Sequence, residues 1–122
     1  MSVRLPTEAQ ALRHIRRAWK AAGHSVLIQP IETSTGVGVP DLYLWIAESH
    51  QAWWCELKRG RRRTTLAQTR WLMAAERLGQ KVCVLRVWQD YRFTVHRPNE
   101  ANSVGKVFQV DTLYALLAYG RL

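Results

Sequence analysis

Apolar positions recur at helical spacing in two stretches of the chain and at strand spacing in several others. Thr7-Glu8-Ala9-Gln10 has the form of a capping box, with Gln10 reaching back to the Thr7 amide from the third helical position. Leu12, Ile15, Trp19 and Ala22 then recur every three or four residues, and Gly23 supplies the stop. Arg13, Arg16, Arg17 and Lys20 fall on the other side, so the pattern predicts one helix with an apolar inner stripe and a basic outer one. A second capping box, Thr65-Leu66-Ala67-Gln68, opens a helix to about Leu78, with Leu72, Ala75 and Leu78 as its stripe and Gly79 closing it.

Between the helices, Ser25–Glu32 reads as a strand and Thr33–Gly38 as a loop. Pro40–Ala47 and Ala52–Lys58 are strand-like runs joined by the polar turn Glu48–Gln51, which makes a hairpin. Arg59–Arg63 is a basic loop around Gly60. Lys81–Trp88, with Val82, Val84, Leu85 and Val87, reads as a buried strand. A helix between it and the strand ending at Lys58 forms a βαβ crossover, so these two strands should be parallel. Beyond Trp88 the pattern predicts a short strand near Arg92–Val95, a loop around Pro98–Ser103, a strand near Lys106–Val110 and a last helix over Thr112–Tyr119. The expectation is a single α/β domain spanning residues 1–122, with a central mixed sheet and flanking helices. Its core should occupy about residues 5–88, followed by a C-terminal extension over 89–122.

Composition narrows the class. Of 122 residues, 48% are apolar and 22% charged, which excludes wholesale disorder. Runs such as Val39–Ala47 are far too short to span a bilayer, and no charged-then-apolar leader opens the chain, so a soluble, cytoplasmic protein is expected. Cys55 and Cys83 both sit in apolar strand-like runs, the pattern of small core residues and not of a disulfide framework. Eighteen Lys and Arg against nine Asp and Glu give a net charge of +9. Such a surface attracts polyanions, of which nucleic acid is the commonest in a cell. No basic stretch carries a Trp/Phe/Leu face suited to lying on a membrane.

The hairpin carries the chemistry. A turn centred between Glu48 and Ser49 sets Asp41 opposite Glu56, whereas a slip of two residues would set it opposite Lys58. Facing side chains on adjacent strands have Cβ atoms about 5 Å apart. Two carboxylates at that range repel unless something positive lies between them, and a divalent cation is the usual solution. Glu56 and Lys58 are two apart on one strand and share a face, so an ammonium stands beside the acidic pair. Glu8 falls on the Leu12–Ile15–Trp19 stripe, where a carboxylate is costly unless paired, and Gln68 holds the same kind of position on the second helix. Each piece has a plainer explanation. Glu-x-Lys triplets are common by chance, Pro40 could simply start a strand, Glu8 could favour the positive end of a helix, and Gln68 could do no more than cap. Their order across a hairpin and two helix starts goes beyond any one of them.

That order resembles the PD-(D/E)XK nuclease superfamily: Glu8 on a first helix, Gly38-Val39-Pro40-Asp41-Leu42, then Cys55-Glu56-Leu57-Lys58, then Gln68 with Trp71-Leu72 after it. It is most similar to the virus-type replication-repair (VRR-Nuc) branch, through Leu66-Ala67-Gln68-Thr69-Arg70-Trp71-Leu72 followed by Leu78-Gly79 and a hydrophobic strand. The resemblance covers Leu5 to about Val87 and implies a restriction-endonuclease-like αβββαβ core. It implies one or two Mg²⁺ or Mn²⁺ ions held by Asp41 and Glu56, with the Leu57 carbonyl as a further ligand and Glu8 completing the site directly or through water. It implies that Lys58 orients the attacking water or stabilises charge on the phosphate, and that Gln68 supports that water or Lys58. The implied reaction is phosphodiester hydrolysis in DNA to a 5′-phosphate and a 3′-hydroxyl.

Around such a site, Arg59, Arg61, Arg62 and Arg63, with Arg13, Arg16, Arg17 and Lys20, could follow a phosphate backbone without reading sequence. No zinc-finger or recognition-helix pattern is present, so selectivity should come from nucleic-acid shape: a branch, flap, bubble or junction. The alternatives are a Holliday-junction resolvase or restriction-type nuclease of the same superfamily, or a basic nucleic-acid-binding module without turnover. Gly105-Lys106 is no phosphate-binding loop, and His14, His24, His50 and His96 lack ligand spacing. Trp45, Trp53 and Trp54 fall on strands, where packing is the default. Symmetric cutting of two strands by so short a chain would need a homodimer, for which Leu113, Leu116 and Leu117 could supply an interface; the same leucines could equally cover the chain's own sheet.

Overall fold

The computed structural model describes residues 4–32, 38–103 and 105–120. Its elements are α1 (Glu8–Ala21), β1 (Val26–Pro30), β2 (Leu42–Ile46), β3 (Gln51–Arg59), α2 (Leu66–Arg77), β4 (Val82–Val87), β5 (Phe93–His96), β6 (Val107–Phe108) and α3 (Val110–Tyr119). The strands form one six-stranded sheet in chain order. Every neighbouring pair is antiparallel except β3 with β4, the pair joined through α2. Both expected capping boxes are closed: Thr7 with Gln10 opens α1, and Thr65 with Gln68 opens α2.

The register of β2 on β3 pairs Leu42 with Cys55 and Ile46 with Gln51, which centres the hairpin between Glu48 and Ser49. Alternation then divides the sheet into two faces. Leu42, Leu44, Ile46, Trp53, Cys55, Leu57, Cys83, Leu85, Val87 and Phe93 fill the main core beneath α1 and α3. Indole N–H groups pin α3 to this core, Trp19 donating to the Val110 carbonyl (3.0 Å) and Trp53 to the Leu117 carbonyl (2.8 Å). Cys55 and Cys83 are register neighbours on β3 and β4; both are free buried thiols, their sulfurs 3.3 Å apart.

On the opposite face, α2 packs Leu72 and Ala75 against Val82, Val84 and Ala101. The buried polar and charged residues among those described are Glu56, Lys58, Arg86, Thr94 and His96. All of them lie on this face, as the pairings Glu56–Val84–His96 and Lys58–Arg86–Thr94 require. One face is therefore a conventional core, and the other is half core and half polar strip.

Several local expectations shift. In α1 the buried stripe is Ala11, Ile15 and Trp19, with Leu12 only partly buried and Ala22 exposed. Leu78 follows the end of α2 and is 81% exposed, since the helix stops before a further turn reaches the sheet. The last strand is cut to Val107–Phe108, and α3 begins at Val110, where the Trp19 indole holds the first carbonyl of the helix. The loop Pro98–Ser103 contains a 3₁₀ turn, Pro98–Glu100. Thr33–Val37 of the expected first loop lies outside the described residues. Beyond residue 88 the chain adds β5, β6 and α3 to the same sheet and core.

Gly38, at φ +82°, sets the approach to β2: a Cβ there would stand 2.3 Å from the Ala67 carbonyl oxygen in the first turn of α2. No other residue lets the backbone come this near. Gly79 has a similar φ of +85° but nothing within 4 Å. Gly38→Ala should therefore destabilise the protein by about 2 kcal/mol or more, and Gly79→Ala by about 1 kcal/mol, the conformational cost alone. Urea denaturation of the two variants side by side measures the difference.

Candidate active site

Where β2 begins, Asp41 reaches across to β3 and its Oδ2 accepts the Leu57 amide at 3.1 Å. Continued by one residue, the observed register sets Asp41 opposite Glu56. The Glu56 side chain is almost wholly buried. Its Oε1 accepts from Gln68 Nε2 at 2.9 Å and lies 3.7 Å from Lys58 Nζ. Gln68 thus does two things at once: its Oε1 accepts the Thr65 amide at 2.8 Å in the capping box, and its amide nitrogen holds Glu56. The start of α2 and the end of β3 are locked together through this one side chain. Gly38, pressed against the same helix turn, brings the chain into Asp41.

Glu56 Oε2 is buried and meets no hydrogen-bond donor. Burial pushes the Glu56 carboxyl up to about 8, the neighbouring Asp41 carboxylate adds to that, and Lys58 pulls the other way. An acid so raised, with one oxygen lacking a donor and a second carboxylate beside it, is a site that a cation would relieve. The donors are oxygens, which suit hard ions such as Mg²⁺ or Mn²⁺. Among the described residues no hydrogen bond or ion pair brings a histidine to Asp41 or Glu56, so nothing favours zinc. The residues present fit a hard divalent ion.

Four of the five expected catalytic side chains, Asp41, Glu56, Lys58 and Gln68, meet at this point. Glu8 does not join them. It is half-buried at the start of α1, with no hydrogen bond or ion pair to Asp41, Glu56 or Lys58, and no group of three or more acidic, His or Cys side chains suited to a metal occurs among the described residues. The Leu57 amide is used by Asp41, while its side chain lies in the core on the other face.

The basic residues divide. Arg61, Arg62 and Arg63 are exposed just beyond the site. Arg59 is a tether, its guanidinium bonded to the Leu5 and Pro6 carbonyls ahead of α1, and Arg16 donates to the Ile28 carbonyl. Arg13, Arg16, Arg17 and Lys20 are exposed on the outer side of α1, across the sheet from Glu56 and Lys58.

One important residue escaped the sequence reading. Arg86 is 2% exposed, and all five of its N–H donors are taken, by the carbonyls of Gly60, Arg62 and Ala101 and by Asn102 Oδ1. It moors the arginine loop to β4. The available signal was a lone charge inside the apolar run Val82–Val87.

No protein-family model and no curated protein matches the sequence. Solved structures do. A VRR_NUC domain superposes with a TM-score of 0.53 at 20% identity, covering 63% of this chain and 81% of that one. Hjc of Archaeoglobus fulgidus, a Holliday junction resolvase, superposes with a TM-score of 0.55 at 14% identity, covering 92% of this chain and 96% of its own. This is the restriction-endonuclease-like fold of PD-(D/E)XK-type nucleases. Within that PD-(D/E)XK fold, the expected mixed sheet and αβββαβ core are present, and β5, β6 and α3 continue it. No helix among the described residues is long and apolar enough to cross a membrane.

The raised Glu56 acid has a direct consequence. Its folded-state value lies above the ordinary 4.5, so the folded protein holds this proton more tightly than the unfolded chain. The stability gained is complete below about pH 4.5 and is lost as the pH rises through about 8. In EDTA, the urea midpoint should fall across that window, and Glu56→Gln should flatten the fall.

Proposed function

We propose that this protein is a divalent-metal-dependent DNA endonuclease, hydrolysing phosphodiester bonds to a 5′-phosphate and a 3′-hydroxyl and acting on branched, flapped or junction DNA. The reading rests above all on one observation: Asp41, Glu56, Lys58 and Gln68 converge at one end of a PD-(D/E)XK-type sheet. The two structural neighbours, a VRR_NUC domain and a Holliday junction resolvase, favour nucleic-acid cleavage over binding alone. Asp41 and Glu56 would hold Mg²⁺ or Mn²⁺, with the Leu57 carbonyl as a further ligand; Glu8, which stands apart from the two acids, would take part only through water. When bound, such an ion lowers the pKa of a coordinated water and offsets charge on the phosphorane-like transition state.

The protein's own groups do the rest. Gln68 fixes Glu56 through Oε1 and so leaves Oε2 for the cation. Lys58 is held near Glu56 as an ion pair at 3.7 Å, too long for a hydrogen bond, which leaves its N–H donors to orient the attacking water or to meet the scissile phosphate. Arg61, Arg62 and Arg63 stand beside the site and engage the phosphate backbone, which makes binding salt-sensitive and largely independent of sequence. The stripe on α1 lies across the sheet and serves a strand only where DNA wraps the edge or a second copy presents it.

With Mn²⁺ or Mg²⁺ the protein should nick supercoiled plasmid, and EDTA should stop it. Asp41→Ala and Lys58→Ala should each lower the nicking rate by about 10²-fold or more, with circular dichroism and much of the DNA affinity retained. Wild-type rates in either variant would move catalysis elsewhere. Binding of Mn²⁺ near neutral pH should also release a proton from Glu56, seen as a buffer-dependent heat in titration calorimetry. Glu56→Gln should remove both the proton release and the tight binding.

A further inference from the structure

Next to the candidate site, on the same face of the sheet, a cavity of about 420 Å³ opens between the arginine loop and the edge of β5 and β6. Arg61 and Arg63 stand at its rim, Arg86, Trp88 and Thr94 line it, and Val107 closes the far side. It continues the row Lys58–Arg86–Thr94–Val107, in which each residue is the cross-strand partner of the next. At about 4.8 Å per strand, Thr94 is about 10 Å from Lys58 in backbone position. That is about three nucleotides of a stacked strand at about 3.4 Å each.

Two features of this cavity call for a ligand. The first is charge. Arg86 is buried, and its donors meet only neutral carbonyls and an amide, with no carboxylate paired to it among the described residues. Dipoles satisfy its hydrogen bonds but do not balance its charge, and Arg61 and Arg63 add two more cations at the opening. The second is a fixed aromatic wall. The Trp88 indole donates to Thr94 Oγ1 at 2.9 Å, and the same oxygen lies 2.7 Å from His96 Nε2, so the ring is held in one orientation while half-exposed. Asn102 is held likewise, its Oδ1 accepting from Arg86 and from the Thr64 amide, which turns its NH₂ group to other acceptors.

An anion alone would leave the indole unused, and an apolar ligand would leave the charge unbalanced. A nucleotide meets both demands, and the volume admits one nucleotide but no duplex. We propose that this cavity binds a single unpaired nucleotide of the substrate strand, its phosphate toward Arg61, Arg63 and Arg86 and its base against Trp88. This deepens the nuclease reading, on which it rests, by naming the substrate: DNA with an unpaired segment within a few nucleotides of the cut.

The test uses the full chain in EDTA, so that binding is read without turnover. Fluorescence anisotropy follows a labelled oligothymidine, a flapped duplex and a plain duplex, with thymidine monophosphate as competitor. Val107 is 47% exposed, so Val107→Glu adds a carboxylate to the cavity without touching the core. Val107→Glu and Trp88→Ala should each weaken oligothymidine and flap binding about tenfold, with duplex affinity within about twofold. Trp88→Phe, which keeps an aromatic face but loses the indole N–H that fixes it, should retain more oligothymidine and flap affinity than Trp88→Ala. Equal losses on all three DNAs, or no loss, in a variant with wild-type circular dichroism would overturn the proposal. So would thymidine monophosphate binding that Val107→Glu abolishes while flap affinity is unchanged, since the occupant would then be a free nucleotide. Plasmid nicking with Mn²⁺ reports separately on the nuclease reading: a protein that never nicks but shows the selective loss keeps the cavity and loses the enzyme.

Discussion

The site depends on the register between β2 and β3. With the hairpin centred between Glu48 and Ser49, two carboxylates face each other across neighbouring strands; slipped by two residues, Asp41 would face Lys58 as an ordinary ion pair. The slip keeps every side chain on its own face, so the hydrophobic pattern alone does not forbid it. What selects the register lies outside the hairpin. Gly38 lets the chain before Asp41 press on the first turn of α2, and Gln68 from that turn holds Glu56. Helix start, strand start and strand end define one another. The repulsion between the acids is thus set against a packed corner that cannot relax without opening the capping box of α2.

The two faces of the sheet divide the work. Beneath α1 and α3, apolar burial supplies the stability, with two indole N–H groups fixing α3. Leu113 and Leu117 are spent in this core, so they are not free to form an interface between copies. On the other face, α2 covers only one end. The remainder carries buried charges whose cost the main core must offset.

Much of this was legible in the sequence because it was written in local rules. The capping boxes at Thr7 and Thr65, the polar turn at Glu48–Gln51, the largely apolar run of β4 and the parallel pairing forced by a helix between strands each follow from a few adjacent residues. Asp41, Glu56 and Lys58 could be brought together by counting along strands, and Gln68 by the motif order that places it in the first turn of the crossover helix. Glu8 could not, because its distance to the others depends on how α1 sits at the end of β3, and helical periodicity fixes a face without fixing that placement. The same limit applies to Arg59. Composition groups it with Arg61, Arg62 and Arg63, but alternation along β3 turns it toward the Leu5 and Pro6 carbonyls. Arg86 was hidden by its own strand, since only the folded loops supply the carbonyls that make a buried guanidinium tolerable.

Set side by side, the two polar rows of the open face explain why a metal site and a strand-binding cavity would occur together. Asp41 and Glu56 form an acidic row between the start of β2 and β3, and Lys58 and Arg86 a basic one between β3 and β4, two residues further along the shared strand. Each is unsatisfied alone: the acids leave Glu56 Oε2 without a donor, and Arg86 lacks a counter-charge among the described residues. The one contact between the rows, Lys58 Nζ at 3.7 Å from Glu56 Oε1, is an ion pair through Oε1 and leaves Oε2 and the Arg86 charge without partners among the described residues. A cation on the first row and a phosphate on the second would complete both, and those partners also attract each other. The cation and the strand would then bind cooperatively, each supplying the charge that the other's row lacks, and the burial of both rows would strengthen that coupling.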